Sequence, residues 1–374
     1  MQLHLTDGRS TVTEEEKAIL SAAPDAHYRD NLEVLSRQIL DKPAAQCNRN
    51  APLHEPFECW RFVRDRLRGY GILPSPIEQK GEMIWRARNS TDLPGFVHDA
   101  LTIALIRGFN GGGEIFQYLI ATYRVPDFKT FTVPRRPDLP QLEALEENSE
   151  VPSGSFISDG YEQNAVQTYA VNLSASRQLL INGDIEQILL NGAAAGARAR
   201  RTEKAAFFAL LAANGKLSDG VSLFDTSVHK NDDSSAAAPS TTSVDSMRTM
   251  MGGQISPAGD HINVRPDVLL GGPGYESEFA AVRYQANSAD PRGISTGTIS
   301  TLTDSALSGS TAWFEFSLDF PSIALFHLPN ARMPQLKRLN NPDISASDGQ
   351  HFRPIHDFRM IATDYRGVAC YAGA

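Results

Sequence analysis

The first residues that could carry chemistry form the run "NGAAAGAR", in which Gly192 and Gly196 are followed by Arg198. A dinucleotide-binding loop requires a strand, a G-x-G-x-x-G run, a helix, and an acidic residue about 20 positions further on. Here Arg198 stands where a third glycine is expected, and Ile185 and Ile188 recur at helical spacing. The pattern therefore favours one continuous helix whose glycines allow close packing, at about 1 kcal/mol each in helix propensity.

A second run, "GISTG" at residues 293–297, matches the nucleophile elbow of serine hydrolases, with Ser295 in the nucleophile position. His327 or His356 lies downstream as a candidate base. The elbow requires a sharp turn from a strand into a helix. The preceding residues include Pro291, and the following ones are rich in threonine and serine, which disfavours that turn. A hydrolase using Ser295 is the less favoured alternative, and no catalytic residue is expected.

Two groups of histidines and carboxylates have the side chains of a metal site. They are His229 with Asp232 and Asp233, and His351 with His356 and Asp357. Neither group has the helical i, i+4 histidine pair or the CxxC spacing that marks a specific metal site. Positions in a polar loop and on a strand surface are the favoured interpretation, and no metal or cofactor is expected.

Charge argues against tight binding of nucleic acid. The 374 residues include 44 acidic and 35 basic ones, which gives a formal charge of −9. One basic stretch, made of Arg198, Arg200, Arg201 and Lys204, could face phosphate. Such a run is more often a solvated or salt-bridged helix face, and that is the interpretation favoured here.

Cysteine usage and hydropathy indicate a protein of a reducing compartment. Cys47, Cys59 and Cys370 lack metal-site spacing and cannot form a complete disulfide set, so packing roles are expected. The amino terminus lacks the apolar core of a signal peptide, and no stretch approaches the length of a membrane-spanning helix. Neither export by signal peptide nor membrane insertion is expected.

Hydrophobic periodicity predicts a mixture of helices and strands. Residues 13–90 predict several short helices, and "LPGFVHDALTIALIRGF" predicts an apolar helix. The β-like runs "KTFTV" and "NAVQTYAVNLSAS" flank a connection of about 30 residues, which is long enough to indicate a projecting β-loop. Asp184 is then a candidate N-cap, and Asn214 with Gly215 a candidate end, of a helix about 43 Å long.

The second half of the chain adds further elements. "SVDSMRTMMGGQI" predicts a helix, whereas "TAWFEFSLDF", "SIALFHL" and the closing "HFRPIHDFRMIATDYRGVACYAG" predict strands. Helices and strands are therefore interspersed along the chain.

Several of these segments, taken in order, resemble a known family. They are "TDLPGFVHDALTIAL", "LEENSEVPSGSF", "SRQLLINGD", the NG, DG, LF and H-x-N succession in "LLAANGKLSDGVSLFDTSVHKN", and "HDFRMIATDYRG". Together they resemble tailed-bacteriophage major capsid proteins, closest to Mu-like major head subunits and the capsid half of protease-capsid fusions. The resemblance covers about residues 91–374. Asn182, Gly183 and Asp184 replace the usual Asn-Asp-Asp, and the proteolytic activity of the fused relatives is not carried over.

The resemblance implies the Hong Kong 97-type capsid fold, which is an α+β fold with an amino-terminal arm, a projecting hairpin called the E-loop, a peripheral domain and an axial domain. The expected divisions of the first half are a helical arm at 1–90, the start of the peripheral domain at 91–126, and the E-loop at 127–170. The peripheral domain then continues at 171–221, with a spine helix at 184–214. The axial domain is expected at 222–340, and the return to the peripheral domain at 341–374.

The resemblance also implies a function, that of a major capsid protein that assembles into pentamers and hexamers of an icosahedral shell around double-stranded DNA. Expected partners are copies of itself, with portal, scaffold and decoration proteins as further candidates and only weak, non-specific contact with DNA. The expected location is the virion, after assembly in the bacterial host cytoplasm. The alternative of the same fold is a cellular nanocompartment shell that encloses cargo protein.

Residue roles follow for the E-loop and the spine helix. The E-loop is expected to be stiffened by apolar side chains, namely Phe128, Phe131, Val133, Val166, Tyr169 and Val171. Glu146, Glu147 and Glu150 are expected to meet basic residues of a neighbouring subunit. In the spine helix, Asp184 is the expected cap, and Gly192 and Gly196 are the expected close-packing positions.

Overall fold

The computed structural model describes residues 92–111, 115–142, 144–145, 151, 153–176, 185–235, 237–286, 299–339 and 349–372. The arm predicted at 1–90, with Cys47 and Cys59, lies outside these residues. The chain forms two compact units. The first contains the described parts of Met1–Gly113, Thr168–Arg201 and Met333–His356, and the second those of Glu114–Gln167, Thr202–Arg332 and Asp357–Ala374.

Two long helices carry the packing of the first unit. Helix α1 is Asp92–Asn110, and helix α2 is Ile185–Ala213, whose residues up to Arg201 belong to this unit. In α1 the side chains of Leu101, Ala104 and Leu105 are almost fully buried because they recur on one helix face. The apolar helix and the long helix predicted from periodicity are therefore both present.

The end of α2 lies where the sequence predicts it. Asn214 has a φ of 42°, in the left-handed region that asparagine tolerates better than most residues. Its side chain donates to the Phe224 carbonyl at 3.0 Å and accepts from the Phe224 amide at 2.7 Å. These bonds stop the helix and start the following loop. The predicted cap, Asp184, lies outside the described residues.

Sheet strands complete the first unit. Strand β11, Gln335–Leu339, pairs antiparallel with the first part of β12, Gly349–Ala362. Strand β5, Leu173–Ser176, pairs with the same part of β12 along its other edge. Phe352 is buried, and His98 on α1 contacts the Leu336 carbonyl at 3.1 Å. A further strand, β4, covers Gln167–Ala170.

The second unit contains a group of strands around one apolar cluster. Strand β1, Ile120–Arg124, runs parallel to β10, Ile323–His327, and β10 pairs antiparallel with the second part of β12. Strands β2, Phe131–Pro134, and β3, Tyr161–Asn164, form an antiparallel hairpin. A short 3-10 helix, Ile115–Leu119, precedes β1.

A separate five-stranded sheet forms the rest of the second unit. Its strand order is β6-β13-β9-β7-β8, with β6 at Asp232–Asp233, β7 at Val268–Gly271, β8 at Ser300–Thr303, β9 at Trp313–Phe316 and β13 at Val368–Tyr371. Helices α3, Thr241–Gly252, and α4, Glu276–Ala286, cover it.

The core of this sheet is aromatic. Trp313 is fully buried and stacks on Tyr371 with ring centroids 4.9 Å apart. Ser240 caps α3 in a capping box with Ser243, which satisfies the first free amides of that helix. Two 3-10 turns, Pro273–Tyr275 and Ser305–Leu307, connect the elements. The predicted α+β class is confirmed.

Among the described residues, no helix is both long enough and apolar enough to cross a membrane.

Candidate functional site

The antiparallel pair β2–β3 lies within residues 128–177, where the sequence predicts a projecting loop. Phe131 pairs with Asn164 and Pro134 with Tyr161, and a further bridge joins Asp138 to Ile157. In that bridge the Asp138 amide donates to the Ile157 carbonyl at 2.9 Å, and the reverse bond is 2.8 Å long. The two sides of the loop are therefore held together beyond the strands themselves.

The expected stiffening residues divide into two groups. Phe131, Val133 and Val166 belong to the apolar cluster at the base of the hairpin, where the rings of Phe131 and Phe326 are 4.6 Å apart. Phe128 is exposed, and neither it nor Tyr169 belongs to that cluster. Glu146, Glu147 and Glu150 lie outside the described residues, so their contacts stay a prediction.

The loop beyond the base exposes large apolar side chains to solvent. Leu142 is 92% exposed and Phe156 is 75% exposed. We call this surface the hairpin patch, and it consists of Leu139, Leu142, Leu145, Val151, Phe156 and Ile157. Single exposed apolar residues need no explanation, whereas a group of them on one loop makes that loop a candidate interaction surface.

A buried arginine anchors the base of the hairpin. Arg135 follows β2, is 1% exposed, and donates to Asp219 Oδ2 at 2.7 Å and to Glu162 Oε1 at 3.1 Å. Burial opposes ionisation of Asp219, but hydrogen bonds from Arg135 and His229 outweigh it and hold the pKa of this carboxyl below its usual value. A buried guanidinium requires such partners, so this cluster holds the base of the hairpin in place.

His229 and Asn231 extend this anchor toward the carboxyl-terminal strand. The His229 ring stacks on Tyr365 with centroids 3.9 Å apart, and its Nε2 lies 2.9 Å from Asp219 Oδ2. Asn231 is fully buried and donates to the carbonyl groups of Leu223, Tyr365 and Val368. The H-x-N spacing noted in the sequence thus has a structural role.

A second buried arginine anchors the other side of the loop. Arg366 is 2% exposed, donates to Asp364 Oδ2 at 3.1 Å and to the Ile255 carbonyl at 2.9 Å, and forms an ion pair with Asp159 on the hairpin. Both sides of the loop are therefore held at their base by a buried guanidinium. Sequence reasoning missed both arginines, because the partners of Arg366 lie up to 207 positions away.

The histidines proposed as candidate metal ligands are not on the surface. The expected strand-surface position was wrong for His351 and His356, which lie on β12 and are buried. His229 lies in a turn, as expected for a polar loop, but its side chain is buried too. Apolar neighbours contribute to this burial. The His356 ring packs edge-to-face on the Phe109 ring, with the centroids 5.3 Å apart. In the described part of the chain, no group of three potential metal-ligating side chains comes together.

The helical period places the side chains of the basic stretch on different faces of α2. Arg198 and Arg201 are exposed, and Lys204 forms an ion pair with Asp304 at 2.8 Å, as expected for a solvated or salt-bridged face. Arg200 instead is buried, with its guanidinium 3.6 Å from the centroid of the Phe109 ring. A stacked arginine of this kind supports helix packing and leaves no cation there for a phosphate.

The glycine run forms part of the contact between α1 and α2. A Cβ on Gly196 would lie 2.7 Å from the Phe109 amide nitrogen and closer still to the Leu105 carbonyl oxygen. From the other side, a Cβ on Gly108 would lie 2.8 Å from the Cα of Ala193. The backbones of α1 and α2 thus touch, and the run has no space for a nucleotide. Ser295 of the alternative hydrolase site lies outside the described residues.

Cys370 has the packing role expected of it. It lies on β13, and its backbone amide donates to the Asn231 carbonyl at 2.9 Å. Burial raises the pKa of its thiol to about 12, so the thiolate is scarce at neutral pH.

Glu315 is a buried carboxyl that sequence reasoning did not single out. It lies on β9, is fully buried, and neither of its oxygens has a hydrogen-bond partner among the described residues. Burial raises the pKa of this carboxyl well above its usual value. The positive charge of nearby Arg248 opposes this shift but does not cancel it.

We expect replacement of Glu315 by methionine to stabilise the subunit at neutral pH by about 1–3 kcal/mol, because it removes an unsatisfied buried group. A raised folded-state pKa means that stability falls as pH rises from the unfolded value of about 4.3 toward the folded value. Denaturant unfolding from pH 4 upward should show this fall in the parent and not in Glu315→Met. The exposed control Glu276→Met should keep the parent's slope, and an equal slope in both variants would contradict the assignment.

Comparison with known proteins gives the family. The family model described as phage capsid protein matches residues 160–371, which is more than half of the chain. No curated protein matches the sequence.

Solved structures with a similar arrangement share little sequence with this chain. A virus-like particle from Pyrococcus furiosus is 12% identical with a TM-score of 0.45, covering 73% of this chain and 98% of that one. A structure from Mycobacterium phage Cain is 12% identical with a TM-score of 0.41, covering 70% and 91%. The capsid of a native GTA particle is 16% identical with a TM-score of 0.43, covering 69% and 89%.

The family match covers the β3 strand, α2, the five-stranded sheet and the closing strands, so it includes most of the described elements. The matched region thus combines a long helix with the strands of two sheets. The chain belongs to the phage capsid protein family.

Proposed function

We propose that this chain is the major capsid protein of a tailed bacteriophage and that it assembles into pentamers and hexamers of an icosahedral shell around double-stranded DNA. The observation that carries the proposal, beyond family membership, is the hairpin patch. Six large apolar side chains on one anchored loop are stabilised when a neighbouring copy covers them. Since a shell repeats each contact many times, each single contact can be modest.

The residue roles and domain divisions belong to this proposal. The hairpin is the E-loop at 127–170, and α2 lies in the spine helix at 184–214. Strands β6, β7, β8 and β9 lie in the axial domain at 222–340, and 341–374, which includes β13, returns to the peripheral domain. The buried anchors at Arg135 and Arg366 support this assignment, because a loop that must reach a neighbour needs a fixed direction.

Partners and location follow from the same proposal. Copies of the chain are the main partner, with portal, scaffold and decoration proteins as further partners and only weak, non-specific contact with DNA. The formal charge of −9 supports weak DNA contact, because a strongly cationic interior would hold the genome tightly. We further propose assembly in the bacterial cytoplasm before incorporation into the virion, and a structural role without enzymatic activity.

Negative-stain electron microscopy of the expressed protein tests the proposal. Spherical shells are expected, and a subunit that stays monomeric under all assembly conditions would contradict it. The content of the particles distinguishes the alternative of the same fold, since a cellular nanocompartment would hold cargo protein instead of DNA.

The hairpin patch gives a sharper prediction. Replacing Leu142 and Phe156 together by aspartate should abolish particles while changing the free energy of unfolding of the subunit by less than about 0.5 kcal/mol, because both side chains are exposed in the single chain. Size-exclusion chromatography and thermal melting measure the two effects. Tyr284→Asp, an exposed aromatic residue on α4, is the control and should still assemble. Normal particles from the double variant would refute the role of the patch.

A further inference from the structure

Glu315 lies on an apolar face of the five-stranded sheet. Directly opposite it on the neighbouring strands are Ala369 of β13 and Leu269 of β7. Because side chains alternate along a strand, Glu315 shares this face with Trp313, and these three neighbours belong to the buried cluster that α3 and α4 cover. Among the described residues, neither oxygen of the Glu315 carboxyl has a hydrogen-bond partner. A carboxyl in such surroundings is far more stable in its neutral, protonated form.

A cation lies at the edge of the helix that covers this face. Helix α3 buries Val244 and Met251 against the sheet, and Arg248, which is half-buried, lies one turn after the first of them. The Arg248 Nη1 donates to Asp245 Oδ1 at 3.2 Å, and the Asp245 side chain is 69% exposed. Exposed ion pairs at this spacing contribute little to stability, so Arg248 can leave Asp245 at low cost.

The charges that act on Glu315 come from the same helix. In the described part of the chain, these charged groups are Arg248 and Asp245. Burial raises the pKa of Glu315 well above its usual value, Arg248 lowers this pKa, and Asp245 raises it further. The side chains that α4 contributes to the cluster, Phe279 and Val282, are uncharged, as are those opposite Glu315 on β7 and β13. Arg248 is therefore the cation placed to meet an ionised Glu315.

We propose that Glu315 and Arg248 form a pH-dependent switch that sets the packing of α3 on the five-stranded sheet. At low pH Glu315 is protonated, and Arg248 stays with Asp245 as in the structure. As the pH rises, the carboxyl loses its proton to solvent, and Arg248 turns inward to pair with it, since a buried carboxylate requires a cation. Asp245 is then left to water, which its exposure allows.

The inward turn of Arg248 changes the cluster around it. Because protein interiors are close-packed, α3 must shift on the sheet to admit the guanidinium. The surroundings of Trp313 then change as well, since this ring lies in the same cluster. The switch operates within one subunit, so it does not depend on whether the subunits form a shell.

The fluorescence of Trp313 tests the switch in the full-length chain. Its ring stacks on Tyr371 in the cluster that α3 covers. The other two tryptophans, Trp60 and Trp85, are replaced by phenylalanine in every protein of the series, including the parent. Emission measured from about pH 5 to about pH 9 should show a single transition, because burial places the pKa of Glu315 well above its usual value.

Three variants and a control assign the transition. Glu315→Gln should abolish it and keep the low-pH emission throughout, because glutamine has the shape of the neutral carboxyl. Arg248→Met should raise the midpoint and Asp245→Asn should lower it, each by about one pH unit, because the first removes a stabilising cation and the second an opposing anion. The control Glu276→Gln, exposed on α4, should titrate as the parent does. Thermal melting verifies that each variant folds.

Several results would overturn the switch. One is a parent without a transition in this range, and another is a folded Glu315→Gln variant that keeps the transition. An unchanged midpoint in Arg248→Met would refute the pairing, and so would midpoint shifts in the same direction for Arg248→Met and Asp245→Asn. If Glu315→Gln does not fold, the opposite shifts of these two helix variants decide the question.

Discussion

Replacement of Gly196 by leucine is expected to prevent the native pairing of α1 and α2. Even the Cβ of alanine at this position would lie 2.7 Å from the Phe109 amide nitrogen, and closer to the Leu105 carbonyl. Because both contacts are to backbone, no side-chain rotation can relieve them, and the helices must separate. We expect a loss of at least about 3 kcal/mol for leucine, at the upper end of the range for overpacked cores.

A matched series isolates this effect from helix propensity. Replacing an exposed helical glycine by alanine stabilises the helix by about 1 kcal/mol. We expect Gly196→Ala to destabilise the subunit despite this gain. Gly192→Ala should cost less, because the nearest atom to its Cβ is the terminal Cδ2 of Leu101, at 2.8 Å, which can move. Ala194→Leu, on the exposed side of α2, should leave stability unchanged. Denaturant unfolding measures all four, and a stable Gly196→Leu subunit that assembles normally would refute the packing role.

Replacement of Arg135 by methionine is expected to release the hairpin from its base. The change leaves Glu162 and Asp219 without their cation in a site that excludes most solvent. Breaking a buried ion pair costs about 3–5 kcal/mol, and the lower end applies here because Asp219 is a quarter exposed. Amide hydrogen exchange should show lost protection at the Arg135 amide, which donates to the Gly160 carbonyl at 2.9 Å.

The neighbouring residue supplies the control. Arg136 is exposed and stacks on the Phe320 ring at 4.4 Å, so Arg136→Met should cost only about 0.5–1 kcal/mol. Adding Glu162→Gln to Arg135→Met should recover part of the loss, since it removes one unpaired charge. If Arg135→Met and Arg136→Met lose the same stability, the anchor is not the ion-pair cluster.

The sequence by itself determined the elements that depend on local patterns. Helical spacing through Ile185 and Ile188 predicted α2, and the left-handed preference of Asn214 predicted its end, because both are properties of short stretches of backbone. The β-like run KTFTV likewise predicted β2, whereas its partner strand β3, Tyr161–Asn164, lies almost entirely before the second predicted run. The roles of Gly192 and Gly196 as close-packing positions also followed from residue size, and the helix crossing has the geometry that this role requires.

Only the tertiary structure decided which polar groups are buried and what they contact. The sequence predicted a polar loop for His229 and a solvated or salt-bridged helix face for Arg200. In the structure the His229 ring stacks on Tyr365, and the Arg200 guanidinium stacks on the Phe109 ring. Arg135 finds its carboxylates 27 and 84 positions away, a separation that no local pattern encodes. Burial and ion pairing depend on which distant segments meet when the core closes. They are therefore properties of the packed chain, whereas helices, turns and loop lengths are properties of the sequence within a few residues.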